Sequence, residues 1–158
     1  MLLATALLPI IEKACACVVQ RGRVLVFRHP HATGGVQLPK GTIEPGESPE
    51  NAVIRELAEE SGLQLSAAPK LVAEMKFRGA AKKAFPEKLP TQQRWFIFRF
   101  DTAETLPERW THSATGSPEE HGLVFDYFWH PLSESFAASH RDSDARFATV
   151  IDALLKRT

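Results

Sequence analysis

Between Ser48 and Gly62 the chain has little choice but to form one short helix. Ser48 is a strong N-cap, Pro49 suits the first helical position, and Gly62 suits the left-handed residue that ends a helix. Inside this span Val53, Leu57, Ala58 and Ser61 form one stripe, which is expected to pack on a sheet. Glu56, Glu59 and Glu60 recur at i, i+3 and i+4, so they are expected to stand together on the opposite face. Like charges about 5.5 Å apart repel by about 3 kcal/mol per pair at an effective dielectric of about 20. On a fully exposed face, water and salt screen most of that cost.

A solvated acidic face is therefore the plain reading, and three features argue against it. The helix carries no lysine, and Arg55 is its only base. A Gly- and Pro-rich stretch leads directly into it, so a backbone carbonyl such as that of Gly41 is able to approach the acids. Carboxylates and carbonyls are also the hard oxygen ligands that Mg²⁺ or Mn²⁺ prefers, with places left for water and phosphate oxygens. The glutamates make more sense as a cation cradle.

The stretch GTIEPGESPENAVIRELAEESGL, from Gly41 to Leu63, closely resembles the Nudix box. Gly41, Glu47, Arg55, Glu56, Leu57, Glu59, Glu60, Gly62 and Leu63 fill its nine specified positions at the right spacing. The resemblance implies an α/β (α+β) fold, a Nudix-type α/β/α sandwich with a mixed sheet between helices. It implies hydrolysis of a nucleoside diphosphate linked to another moiety, with Mg²⁺ or Mn²⁺ as cofactor. Carried over by position, Glu56 and Glu60 become metal ligands, and Glu59 becomes a ligand or the base that activates water. Gly41 offers a carbonyl ligand, while Arg55 and Glu47 orient and brace the carboxylates. Family members often draw one more glutamate from a loop near the last strand. GSPEEHGL (116–123) offers Glu119 and Glu120, and either one fits.

The rest of the chain is read as one domain over residues 1–158. ACACVV (14–19) and RVLVFR (23–28) are β-rich runs turning at Gly22, and 29–41 is a loop by its Gly and Pro content. Strands are expected at 70–77, 94–100 and 123–129, with an amphipathic helix at 144–157. The apolar segment 1–12 lacks a basic leader region and is too short to span a bilayer. It is expected to pack on the fold or to form a subunit contact, as in a homodimer; a signal peptide is the lesser alternative. Cys15 and Cys17 are read as small buried residues of a reducing, cytoplasmic protein, because a disulfide between them would be badly strained. With 19 basic and 19 acidic residues, overall charge points to neither nucleic acid nor membrane.

Substrate is expected to be of nucleotide type. Pro39-Lys40-Gly41 resembles the dinucleoside polyphosphate, diphosphoinositol and RNA 5′-pyrophosphohydrolase branches, and QQRWFIF (92–98) resembles a strand of the last of these. A dinucleoside polyphosphate or a 5′-triphosphate RNA end is the leaning. A nucleoside triphosphate pyrophosphatase and a silent nucleotide sensor are the alternatives. Arg28 and Lys40 flank the approach to the box as candidate phosphate contacts, and Trp95 or Phe77 as a surface for base stacking. His29 and His31 are read as plain loop histidines. Between Lys76 and Arg94 six basic residues, Lys82 and Lys83 among them, face Glu87 alone, which suggests a clamp for a highly charged substrate.

Overall fold

A computed structural model describes residues 10–31, 34–79 and 91–156. Segment 1–9 and the loop carrying Lys82 and Lys83 lie outside the described residues. The strands are β1 (Ile10–Gln20), β2 (Arg23–Arg28), β3 (Val36–Gln37), β4 (Lys40–Thr42), β5 (Lys70–Gly79), β6 (Thr91–Asp101), β7 (Trp110–Ser113) and β8 (Val124–Pro131). The helices are α1 (Pro49–Ser61), α2 (Phe136–Ser139) and α3 (Ala145–Lys156). The main sheet runs β5-β6-β1-β2-β8-β7, with β3 on β2 and β4 on β1. Among the described strands only β1 and β6 pair in parallel, so the sheet is mixed.

The strand period of two divides β1 between two cores. Ala14, Ala16 and Val18 pack under α1 with Leu25, Phe27, Phe98 and Phe125, while Cys15, Cys17 and Val19 pack under α3 with Trp95, Phe147 and Leu154. All six are buried, which is why ACACVV reads as an unbroken apolar run. Both cysteines are free.

Helix α1 forms as its end signals dictate. The Ser48 hydroxyl accepts from the Asn51 N–H at 3.1 Å, and Gly62 takes a left-handed φ of 79° while its N–H donates to the Ala58 carbonyl. Glycine is required at 62 twice over, since an added Cβ would also meet the His112 ring at 2.9 Å. The packed stripe is shifted from the expected one: Ala52, Val53, Leu57, Glu60 and Ser61 are buried, and Ala58 is only half-buried. Glu60 therefore does not stand opposite the packed face. It follows Leu57 by three residues and Glu56 by four, so it belongs to both stripes and turns inward.

Four further elements escape the sequence reading: β3, β4, β7 and the four-residue α2. Of these the short β4 matters most to the placement of the glutamates. It pairs with β1 through Lys13↔Thr42, Ala14↔Gly41 and Cys15↔Lys40, which lays Gly41 alongside α1.

Candidate active site

Where β4, α1 and the loop 114–122 meet, a cavity of about 500 Å³ opens. Glu56 and Glu59 reach it from α1, Glu119 and Glu120 from the loop, and Gly41 from β4. Lys13, Lys40 and Arg55 are its cationic side chains. Most of the residues singled out in the sequence thus converge on one place.

Two glycines permit the convergence. A Cβ on Gly41 would sit 1.8 Å from the Glu56 carboxyl carbon, far inside van der Waals contact, so only glycine lets the strand backbone lie against that carboxylate. A Cβ on Gly116, at φ 102°, would come within 2.3 Å of a Glu59 oxygen. The loop is fastened to the helix end by the Thr115 N–H, which donates to the Glu59 carbonyl at 3.0 Å. Replacing Gly41 by alanine should push Glu56 aside by about an ångström. Misplacement on that scale costs about 10²-fold in turnover, while circular dichroism should show the fold retained.

Arg55 organises the carboxylates. Its Nε and Nη2 donate to both oxygens of Glu47 at 2.8 Å, Nη1 donates to Glu56 at 2.8 Å and to Glu59 at 3.1 Å, and Nη2 also reaches the Thr42 carbonyl at 3.0 Å. The fork on Glu47 lowers that carboxyl to about 2. The same bonds, Glu47 first, raise the guanidinium well above its ordinary range.

Glu60 is the unusual group. It is 2% exposed, and the Lys40 backbone N–H donates to its Oε2 at 2.9 Å. Burial first, and then the charge and hydrogen bond of Glu120, push its carboxyl well above the ordinary carboxylate range. Burial also raises Glu56, against the pull of Arg55. The charge of Glu120 is among the leading causes of the shifts at Glu60 and Glu56, and Glu119 lines the cavity.

Among the described residues no three His, Cys, Asp or Glu side chains stand ready to close round a metal ion. Arg55 instead holds Glu56 and Glu59. The donor set nonetheless suits a hard divalent cation: several carboxylates, a backbone strand pressed on one of them, and a buried acid bonded to a backbone N–H.

Other candidates fall elsewhere. Arg28 does not line the cavity; it pairs with Asp142 at 2.7 Å, beside a second cavity of about 240 Å³ that Asp142 lines. Lys40 lines both cavities, with its ammonium 4.9 Å from the Trp95 ring centroid. Trp95 itself is 0% exposed beneath Phe77, Phe147 and Arg146, so it offers no face for stacking a base. Two residues were missed in the sequence. Lys13 donates to the Thr42 hydroxyl at 2.7 Å, and burial and then Lys40 lower its ammonium from the ordinary value. Tyr127 is wholly buried within electrostatic reach of Glu60 and Glu120. Neither carries a spacing signal, since strand register alone brings Lys13 opposite Thr42.

A family model described as the NUDIX domain matches residues 11–150. An RNA pyrophosphohydrolase of Pseudomonas putida (strain GB-1) is 32% identical over 108 residues, covering 62% of this chain and 64% of that protein. The match therefore spans less than two-thirds of that relative. Among solved structures, the MutT protein of Methanosarcina mazei Go1 superposes with a TM-score of 0.64 at 20% identity, over 94% of this chain and 95% of that one. The binary complex of a C. elegans Ap4A hydrolase gives 0.59 at 16% identity, over 92% and 96%. At such identities the likeness is one of fold: a mixed sheet flanked by helices. Among the described residues no helix is long and apolar enough to cross a membrane.

Proposed function

This chain belongs to the Nudix family, and from that premise we infer that it hydrolyses a pyrophosphate bond of a nucleotide-type substrate with the help of Mg²⁺ or Mn²⁺. The observation that carries the reading is the convergence of Glu56, Glu59 and Glu120 on one cavity edged by Gly41, with buried Glu60 bonded to the backbone N–H of Lys40, a residue of the same cavity wall. Glu56, Glu60 and the Gly41 carbonyl would hold the cation, with Glu59 as a further ligand or as the base. A bound divalent cation supplies charge neutralisation of the pyrophosphate and lowers the pKa of a coordinated water.

The chain's own residues do the rest. Arg55, gripped by Glu47, orients Glu56 and Glu59. Of the two loop acids, both of which line the cavity, we assign Glu120 to the site, because its charge is among the leading influences on Glu60 and Glu56. Lys13 and Lys40 put positive charge on the cavity wall and suit the non-bridging oxygens of the substrate.

For the substrate we propose a molecule with more negative charge than one diphosphate carries: a 5′-triphosphate RNA end or a dinucleoside polyphosphate. The activity for which the Pseudomonas relative is named and the Pro39-Lys40-Gly41 sequence support this choice. A phosphate-release screen tests it, over triphosphorylated RNA, dinucleoside polyphosphates, nucleoside triphosphates and nucleotide sugars. The expected result is Mg²⁺-dependent turnover of the first two, at least about 10-fold above nucleotide sugars, equivalent to about 1.4 kcal/mol of discrimination. Preference for nucleoside triphosphates would move the substrate to the alternative class, and no turnover of any compound would leave a silent sensor.

A further inference from the structure

The last carbonyls of a helix find no donors in their own helix, and at the end of α1 two of them are met from β7 and the loop after it. The indole N–H of Trp110 donates to the Ser61 carbonyl at 3.0 Å, and the Thr115 N–H donates to that of Glu59 at 3.0 Å. Trp110 is held flat for this, stacked on Tyr127 at 5.2 Å between centroids and 11° between planes. The loop is closed by its own bonds. The Ala114 N–H donates to the Leu123 carbonyl at 2.8 Å, the Gly122 N–H donates to that of Ala114 at 2.9 Å, and the Glu120 and His121 N–H groups share the Ser117 carbonyl. Strand β7 and this loop therefore form a strap, fixed to the helix turn that carries Glu59.

Gly116 is where the strap meets a side chain of the site. Gly22, Gly46 and Gly122 also have left-handed φ values, and a Cβ on any of them would meet nothing within 4 Å. There the turn alone asks for glycine. At Gly116 a Cβ would lie 2.3 Å from Glu59 Oε2 and 2.7 Å from its carboxyl carbon. The backbone is not free to back away, because Thr115, one residue earlier, is bonded to the Glu59 carbonyl. The same oxygen, Oε2, accepts from Arg55 Nη1 at 3.1 Å, and Gly116, Glu59 and Arg55 all line the cavity. We infer that Gly116 is a positioning residue of the site, whose bare backbone gives the Glu59 carboxylate the room to stay on Arg55 and in the cavity. This rests on the role proposed for Glu59 above.

The test is a double-mutant cycle of Gly116→Ala with Glu59→Ala, with Gly122→Ala as the control for backbone strain in the same loop. For each protein kcat, KM and the melting temperature in EDTA are measured. Gly116→Ala should lower kcat by about 10²-fold at unchanged KM. Gly122→Ala strains the backbone without touching Glu59 and should lower kcat far less. Once Glu59 is cut back, the added methyl has nothing to displace. Gly116→Ala should then cost almost nothing further in kcat, and fewer degrees of melting temperature than it costs wild type. Equal fold-losses in the two backgrounds would overturn the inference, as would a loss in Gly122→Ala as large as that in Gly116→Ala, since either makes loop strain the cause. If Gly116→Ala alone does not fold, the double variant decides: folding there supports the inference and failure there overturns it. Turnover at the wild-type rate in Glu59→Ala would fail the role of Glu59 itself, and this inference with it.

Discussion

Glu60→Gln should reduce turnover by at least about 10²-fold, the scale set by loss of a metal-site group, and yet leave the protein as stable as wild type, or more so, when both are measured in EDTA near neutral pH. The two halves of this expectation come from the same burial. Glu60 is 2% exposed, its Oε2 accepts from the Lys40 N–H, and the charge of Glu120 bears on it. An ionised carboxylate in that position is disfavoured, because it has lost water and gained a like charge. Glutamine keeps the shape and an acceptor for the Lys40 N–H while removing the charge. A carboxylate retained for packing would behave in the opposite way, since its loss would cost stability and spare turnover. Activity and thermal melts on the same preparation decide between them.

The second large effect is stabilisation by the cation itself. At a Mg²⁺ concentration about 100 times its dissociation constant, mass action adds about 2.7 kcal/mol. For a chain of this length that raises the melting temperature by about 5–10 °C. The effect should grow with pH. Burial raises the carboxyls of Glu56 and Glu60 above their ordinary 4.5, so the folded protein binds those protons more tightly than the unfolded chain does. Their contribution to stability is present in full below about pH 4.5 and is lost as pH rises toward the folded values. Glu47 runs the other way. Lowered to about 2, it contributes stability above its ordinary range, and that is lost only as pH falls toward 2. In EDTA, then, wild type should lose stability as pH rises above about 4.5, and Mg²⁺ should restore more at higher pH than at lower. Melting curves across this range check it; a Mg²⁺ shift independent of pH, or one preserved in Glu60→Gln, would contradict the cation reading.

What the sequence reveals of this molecule depends on whether the signal is local. Helix α1 is legible because Ser48, Pro49 and Gly62 act within their own turn, and each does in the structure what its type prescribes. The strands around Ala14–Val19 and Val24–Phe27 are legible because both faces are buried, leaving plain apolar runs. The two- and three-residue strands β3 and β4 are not, since they exist only as partners of β2 and β1. Strand β7 is hidden for the same reason: WTHS has no run of its own and pairs with β8 from Trp110↔Tyr127 to Ser113↔Val124.

In the site, the spacing of Glu56, Glu59 and Glu60 brings the three acids together, as helical periodicity requires. It cannot tell that Glu60 is buried, because Lys40, Glu120 and Tyr127 arrive from three other segments. Choosing Glu120 over Glu119 likewise depends on the turn at Ser117–His121, where the Glu120 and His121 N–H groups both bond the Ser117 carbonyl. Arg28 looked suitable by proximity in sequence, and the fold instead commits it to Asp142, 114 residues further on.

The acidic cavity should perform hydrolysis only with a divalent cation in place. The most direct measurement is the initial rate on the best substrate of the phosphate-release screen, followed while Mg²⁺ is titrated from excess EDTA to saturation. Wild type should show no turnover in EDTA and a saturable rise with Mg²⁺, and Glu60→Gln a flat line at every concentration. Undiminished hydrolysis in EDTA, or a Glu60→Gln titration that overlays wild type, would contradict it.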